Sequence, residues 1–305
     1  MDRSLKGLFL PLLAVLLSIS LFISPISSAP TDIARATFKR AASNGLNTLQ
    51  PRRVDEGTPS GNTIPGAPAD PPQPAEGDGS GAYDSESPGL GDRALEVKYR
   101  TIAAGAAARG FSDASRHMTH YLDGSGDDLD VSPERMLRDM ANFRAAAKAF
   151  AQAEGASAYA SAVATAKSST ASAPFTSSWK VYDYGEGQFT DNWYYAMGAF
   201  SYSVTGVVTV SIAGGKATAS LKYKTHVFDR YNWDKGKKVD IGPFEFKDDE
   251  LQKLHRTGLA QEYVIRGHSE TQTVDGYTPT GSLPEPGTAG SRDGGRSDPG
   301  RDRGR

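Results

Sequence analysis

An α+β fold, with helices first and a mostly antiparallel sheet after them, is predicted by three features of the 305-residue sequence. Residues 95–166 are alanine-rich, with apolar side chains at i, i+3 and i+4, the spacing of one buried helix face. From Phe200 the period changes to two. Phe200, Tyr202, Val204, Gly206, Val208, Val210 and Ile212 alternate with Ser201, Ser203, Thr205, Thr209 and Ser211, as in a strand with one apolar face. Gly214-Gly215 then supplies a two-residue hairpin turn.

The segments before the helices are processing signals and spacer. Arg3 and Lys6 flank an apolar run over residues 5–23, and Ser27-Ser28-Ala29 follows at cleavage distance. That layout predicts a signal peptide over residues 1–28 and secretion of the rest. Residues 29–40 form a pro-segment ending in the dibasic pair Lys39-Arg40, which a kexin-type protease would cut; Arg52-Arg53 is a second such pair. Residues 41–89 and 271–305 are rich in Pro, Gly, Ser and charge, and too poor in aliphatic side chains to offset their ordering entropy. They are expected to be a disordered linker and a disordered tail around a single domain of residues 90–270.

Within that domain three helical stretches come first, over residues 95–111, 111–122 and 133–166. Ser132 followed by Pro133 is an N-cap with proline at the first helical position. Met136, Leu137, Met140, Phe143 and Ala147 make the apolar stripe of the third, which should fray around Gly155 or continue beyond it as a second, weaker helix. Residues 178–184 and 193–200 supply strand material. The hairpin register about Gly214-Gly215 sets Val210 opposite Ala219, Val208 opposite Leu221, Gly206 opposite Tyr223 and Val204 opposite Thr225, apolar against apolar. A short helix then runs from Asp248 through Leu251 and Leu254 to a stop at Gly258, and residues 261–268 close the sheet.

Composition excludes some functions. The absence of cysteine rules out disulfide support and thiol chemistry. A net charge of −2 argues against nucleic acid as a partner. No P-loop, Gly-x-Ser-x-Gly or His-Glu-x-x-His motif occurs, and no cofactor is implied.

Four side chains are candidates for acid/base work. His226 falls on the polar face of the returning strand beside Lys222 and Lys224, across from Ser203, where a solvated setting is expected. Asp229 and Arg230 follow at the strand end, with Tyr231 and Trp233 as anchors of a corner that turns at residues 234–237, and His255 ends the short helix. His117 and His120 stand three apart on one helical face, a spacing that suits metal ligation as well as packing. Between two helices, Asp123, Ser125, Asp127, the Leu129 carbonyl and Glu134 take the positions of an EF-hand calcium loop, though Asp128 stands where the turn glycine belongs.

FDRYNWDKGKKVDIG and DDELQKLHRTGLAQEYVIRG, together with HYLDGSGDDLDVSPERMLRD, resemble a domain of secreted or toxin-like bacterial proteins of unassigned chemistry, over residues 90–270. With the leader and the Lys39-Arg40 site, the whole is similar to a fungal secreted effector or toxin-like protein. The resemblance implies virulence-type action on a host protein or membrane surface, outside the producing cell or after delivery into host cells. It brings no catalytic residue. The alternatives are a metal-independent hydrolase built on His226 with Asp229, Arg230 or His255, and a calcium-dependent extracellular module.

Overall fold

The hairpin at Gly214-Gly215 forms in the register that the alternation requires. In the computed structural model, which describes residues 63–72, 80–167, 169–184, 192–233, 238–241 and 244–285, Val210 faces Ala219, Val208 faces Leu221, Gly206 faces Tyr223 and Val204 faces Thr225. The leader, Lys39-Arg40, Arg52-Arg53, the turn at residues 234–237 and the chain from residue 286 onward lie outside the described residues.

Helices α1 (Leu90–Ala108) and α2 (Ser112–Asp123), strand β1 (Leu129–Asp130), and helices α3 (Pro133–Asp139) and α4 (Ala141–Ala166) come first. They are followed by β2 (Thr170–Thr176), β3 (Lys180–Tyr182), α5 (Asn192–Met197), β4 (Phe200–Ala213) and β5 (Lys216–Tyr231). Strands β6 (Lys238–Ile241) and β7 (Phe244–Lys247), helix α6 (Asp248–Arg256), and strands β8 (Tyr263–His268) and β9 (Gln272–Asp275) complete the fold. The main sheet runs β1-β8-β5-β4-β2, with β3 also on β4 and β9 also on β5; only β1–β8 is parallel. The fold is α+β, and β6 and β7 make a separate small ladder.

Helix α4 lies on the face of the sheet that carries Phe200, Tyr202, Val204 and Val208. Phe143 meets Phe200 and Tyr202 edge-on at 5.0 and 5.5 Å between centroids, and Phe150 meets Tyr202 at 5.8 Å. Edge-to-face contact suits the quadrupoles of the rings. Ala147, Ala151, Ala158 and Ala162 are buried along the same helix. Small side chains let the helix approach, and β2 answers with small inward residues, Ala171 and Ala173, opposite Val210 and Val208.

One expectation about this helix changes, and one about residues 192–197. The break falls at Met140, whose φ of −113° and ψ of 93° end α3 and start α4, and not at Gly155. Arg144 makes the break tolerable by donating Nη1 to the freed carbonyls of Leu137 and Arg138, at 2.8 and 3.2 Å. Gly155 is glycine for a packing reason, since a Cβ there would lie 2.9 Å from the Tyr277 hydroxyl. Residues 192–197 are likewise helical and not strand. Asn192 Oδ1 accepts from the amides of Asp113 and Ala114, capping α2, whose own N-cap, Phe111, has no oxygen to offer.

Both regions assigned to spacer and tail contribute chain to the domain. Residues 80–86 cross the C-terminal end of α6, where Asp84 N donates to His255 O and Arg256 Nη1 to Ser80 O. After β9, Gln152 donates to the carbonyls of Thr278 and Pro279, and Glu285 pairs with Arg144 and Lys148 at 2.7 and 2.6 Å. Polar anchors and two isolated buried side chains, Tyr277 and Leu283, hold these segments, so no apolar periodicity announces them.

Candidate functional site

Along β5 the side chains of His226, Phe228 and Arg230 alternate onto the face of the sheet opposite α4. The register there sets Ser203, His226 and His268 in one row, and Ser201, Phe228 and Arg266 in the next. Towards the other end of the same face Thr170, Pro174, Thr218 and Lys222 are exposed.

His226 is buried, about 5% exposed, which corrects the expectation of a solvated strand face. Alternation tells on which side a residue falls, not what lies over it. Its Nε2 is hydrogen-bonded to Thr205 Oγ1 at 2.8 Å, and its ring is 6.4 Å from that of His268. Burial, together with the neighbouring His268 and Lys224, lowers its pKa to about 4, because desolvation and like charge both disfavour the imidazolium. The ring is therefore neutral at physiological pH. Ser203 stands opposite in the ladder, yet its hydroxyl is buried without a hydrogen-bond partner among the described residues.

In the next row a shelf forms that the sequence reading missed. Trp179 lies against Phe228, with ring centroids 5.9 Å apart, and the Arg266 guanidinium sits 5.0 Å over the same Phe228 ring. Both flanking side chains hold the segment of residues 63–72. Trp179 Nε1 donates to Ala69 O at 2.8 Å, and Arg266 Nη1 pairs with Asp70 Oδ1 at 2.5 Å. Arg266 Nε also pairs with Asp128 at 2.7 Å, and Asp70 and Asp128 together raise the arginine's pKa further.

The acid/base candidates do not converge. Asp229 alternates onto the opposite face from Arg230. Arg230 and His255 are linked through Glu262, which accepts from Arg230 Nη2 at 3.1 Å while its amide donates to His255 Nδ1 at 3.3 Å. Ser80 Oγ donates to the other oxygen of Glu262 at 2.5 Å, sealing the carboxylate under the strap of residues 80–86. His226 lies four residues back along β5, about 13 Å at the rise of a strand. Glu262 escaped notice because its partners come from chain segments 32 and 182 residues away.

The calcium-loop side chains point to other tasks. Asp123 pairs with Arg100 at 3.0 Å, Ser125 Oγ accepts from Asp127 N, and Glu134 accepts from Glu270 N. Leu129 is taken up in β1. His120 binds the Asp127 carbonyl at 2.8 Å and packs edge-on against Tyr263, and His117 is buried against Tyr231 and Tyr263. Among the described residues no group of three His, Asp or Glu could hold a metal ion. Tyr231, Trp233, Tyr121 and Tyr263 form the corner, with Tyr231 stacked on Tyr263 at 4.9 Å.

No protein-family model, curated protein or solved structure matches the chain.

Proposed function

We propose that this is a secreted, disulfide-free effector-like protein that acts by binding a partner protein through the sheet face bearing Trp179, Phe228 and Arg266. Secretion rests on the leader and the pro-segment; among the described residues no helix is long and apolar enough to cross a membrane. The observation that carries the binding reading is that this face already holds a length of chain outside the regular elements, residues 63–72. It does so by an indole N–H on a main-chain carbonyl and a guanidinium on a carboxylate. Such contacts recognise backbone and charge, which a partner supplies as readily as the chain itself.

The hydrolase reading has its own observation, a neutral His226 opposite the Ser203 hydroxyl. Its weakness is geometric: the histidine's hydrogen bond goes to Thr205. Retention of fluorescently labelled protein on a panel of intact cells, alongside damage to those cells, separates the two. Trp179→Ala and Arg266→Ala should each cut retention at least tenfold, while His226→Gln leaves it unchanged. Damage lost with His226→Gln and kept with Trp179→Ala would move the function to the histidine.

A further inference from the structure

The segment held on the shelf has a pattern of its own. Pro65, Pro68 and Pro71 recur every third residue, and these three, with Ile64, are half-buried while Thr63, Gly66, Ala67, Ala69, Asp70 and Pro72 are exposed. Three residues per turn is the period of the polyproline II helix. Residues 63–72 form no helix, strand or turn, and none has a positive φ. Ile64, Ala67, Asp70 and Pro71 each precede a proline, which drives them out of the α region into extended conformations. The sequence therefore preorganises a rod with one prolyl edge, and that edge is the one turned to the domain.

Prolines cannot donate to a strand ladder, so recognition of such a rod has to use ring packing and its carbonyl oxygens. The shelf offers the matching groups: the indole N–H of Trp179 on the carbonyl between Pro68 and Asp70, and Arg266 on the acid before Pro71.

We propose that the shelf of Trp179, Phe228 and Arg266 is a recognition site for proline-rich peptides in the polyproline II conformation, occupied in cis by residues 63–72. The preferred ligand repeats proline every third residue, with an acidic residue just before one of them. This rests on the binding reading above and names the chemistry of its partner. The cis segment competes at an effective concentration of about millimolar, as tethered ligands do. It holds the site shut against weak motifs and yields to a partner whose motif binds more tightly than the cis segment does.

The test uses the full chain and a labelled peptide, TIPGAPADPP, the sequence of residues 63–72. Wild type is compared with a variant carrying Pro65→Ser, Pro68→Ser and Asp70→Lys, and with the milder single change Asp70→Lys, which sets a lysine against Arg266. Circular dichroism and melting confirm the fold of each. By fluorescence anisotropy the opened variants should bind the peptide at least tenfold more tightly than wild type. Adding Trp179→Ala to either should abolish that binding, and a peptide with lysine in place of its aspartate should bind several-fold more weakly. Opened variants that bind no better than wild type, or binding indifferent to Trp179→Ala, would overturn the proposal. A wild-type dimer that becomes monomeric with Asp70→Lys would overturn it too, making a second copy the occupant. Cell retention lost with Trp179→Ala but no peptide binding would sink the proline chemistry alone; retention indifferent to Trp179→Ala would sink the binding reading beneath it.

Discussion

Ser177 and Ser269 hold mirror-related places on the two outer sides of the β4–β5 hairpin. Ser177 N donates to Val204 O while Val204 N donates back to the Ser177 hydroxyl, both at 2.9 Å. Ser269 N donates to Thr225 O at 2.8 Å, and Thr225 N donates to the Ser269 hydroxyl at 2.9 Å. Val204 and Thr225 face each other in the ladder. One rung of the sheet thus ends on both sides in a serine whose side chain replaces its own carbonyl as acceptor. At these serines β2 gives way to β3, and β8 to β9.

Both serines are buried, so removing either hydroxyl strands a buried amide of the central hairpin. Ser177→Ala and Ser269→Ala should each lower stability by about 1–3 kcal/mol, the usual cost of an unsatisfied buried donor. Ser172→Ala, on a hydroxyl pair nearer the surface, should cost under about 0.5 kcal/mol. Urea melts of the three decide this, and equal small effects would mean that water reaches the rung.

His226 makes stability depend on pH. Its folded pKa of about 4 lies below the ordinary value of about 6.5. Between those values the unfolded chain takes up the proton and the folded chain does not. The contribution is complete above pH 6.5, falls as pH drops through that window, and levels off below pH 4. Melting temperatures of wild type and His226→Gln should therefore converge as pH falls from 7 to 4. Parallel curves would show that the histidine is wetter than its surroundings suggest.

Gly206 should tolerate no side chain. A Cβ there would lie 2.5 Å from Phe175 Cζ and 2.6 Å from the Lys222 carbonyl. Gly206→Ala should cost at least about 1–3 kcal/mol, the scale of overpacking a core. Shrinking the ring cannot rescue it fully, since the carbonyl belongs to the backbone. The Phe175→Leu, Gly206→Ala double variant should stay less stable than Phe175→Leu alone in a thermal melt.

Glu262 is the buried counter-charge that lets the Arg230 side chain sit mostly out of water, about 16% exposed. Glu262→Ala should destabilise by about 3–5 kcal/mol, because it leaves the guanidinium desolvated and unpaired. Glu86, which pairs with Arg256 at 2.6 Å and also with Lys253 on the outside of the same strap, should matter far less when replaced by Ala, because solvent screens an exposed pair. Chemical denaturation of both variants distinguishes a buried keystone from a surface tie.

The hairpin was legible in the sequence because two independent signals agreed, the Gly214-Gly215 turn and the alternation on either side of it. Strand β2 was not, because Ala171 and Ala173 carry no β signature and Pro174 interrupts the run before the one inward aromatic, Phe175; partnership with Val210, Val208 and Gly206 makes them a strand. Residues 192–197 misled in the opposite sense, since Trp193, Tyr194 and Tyr195 look like strand material but fold as a helix that caps another. At the candidate site, the side of the sheet on which His226 falls followed from alternation, whereas its burial depends on distant neighbours. The shelf segment hid behind a spacer-like composition. Its signal was the interval of three between prolines, visible only when spacing is weighed ahead of residue content.

Pro174 stands on β2 at a position whose backbone points away from the hairpin, since Phe175, Ala173 and Ala171 are the residues directed at β4. Strand β2 is an outer strand of the sheet, and its ring removes an outward amide at no cost to the ladder. The same substitution that would look like an improvement in β propensity, Pro174→Val, would therefore restore a template for a foreign strand. The consequence of such a change would appear as self-association at high concentration rather than as a loss of stability in the single molecule.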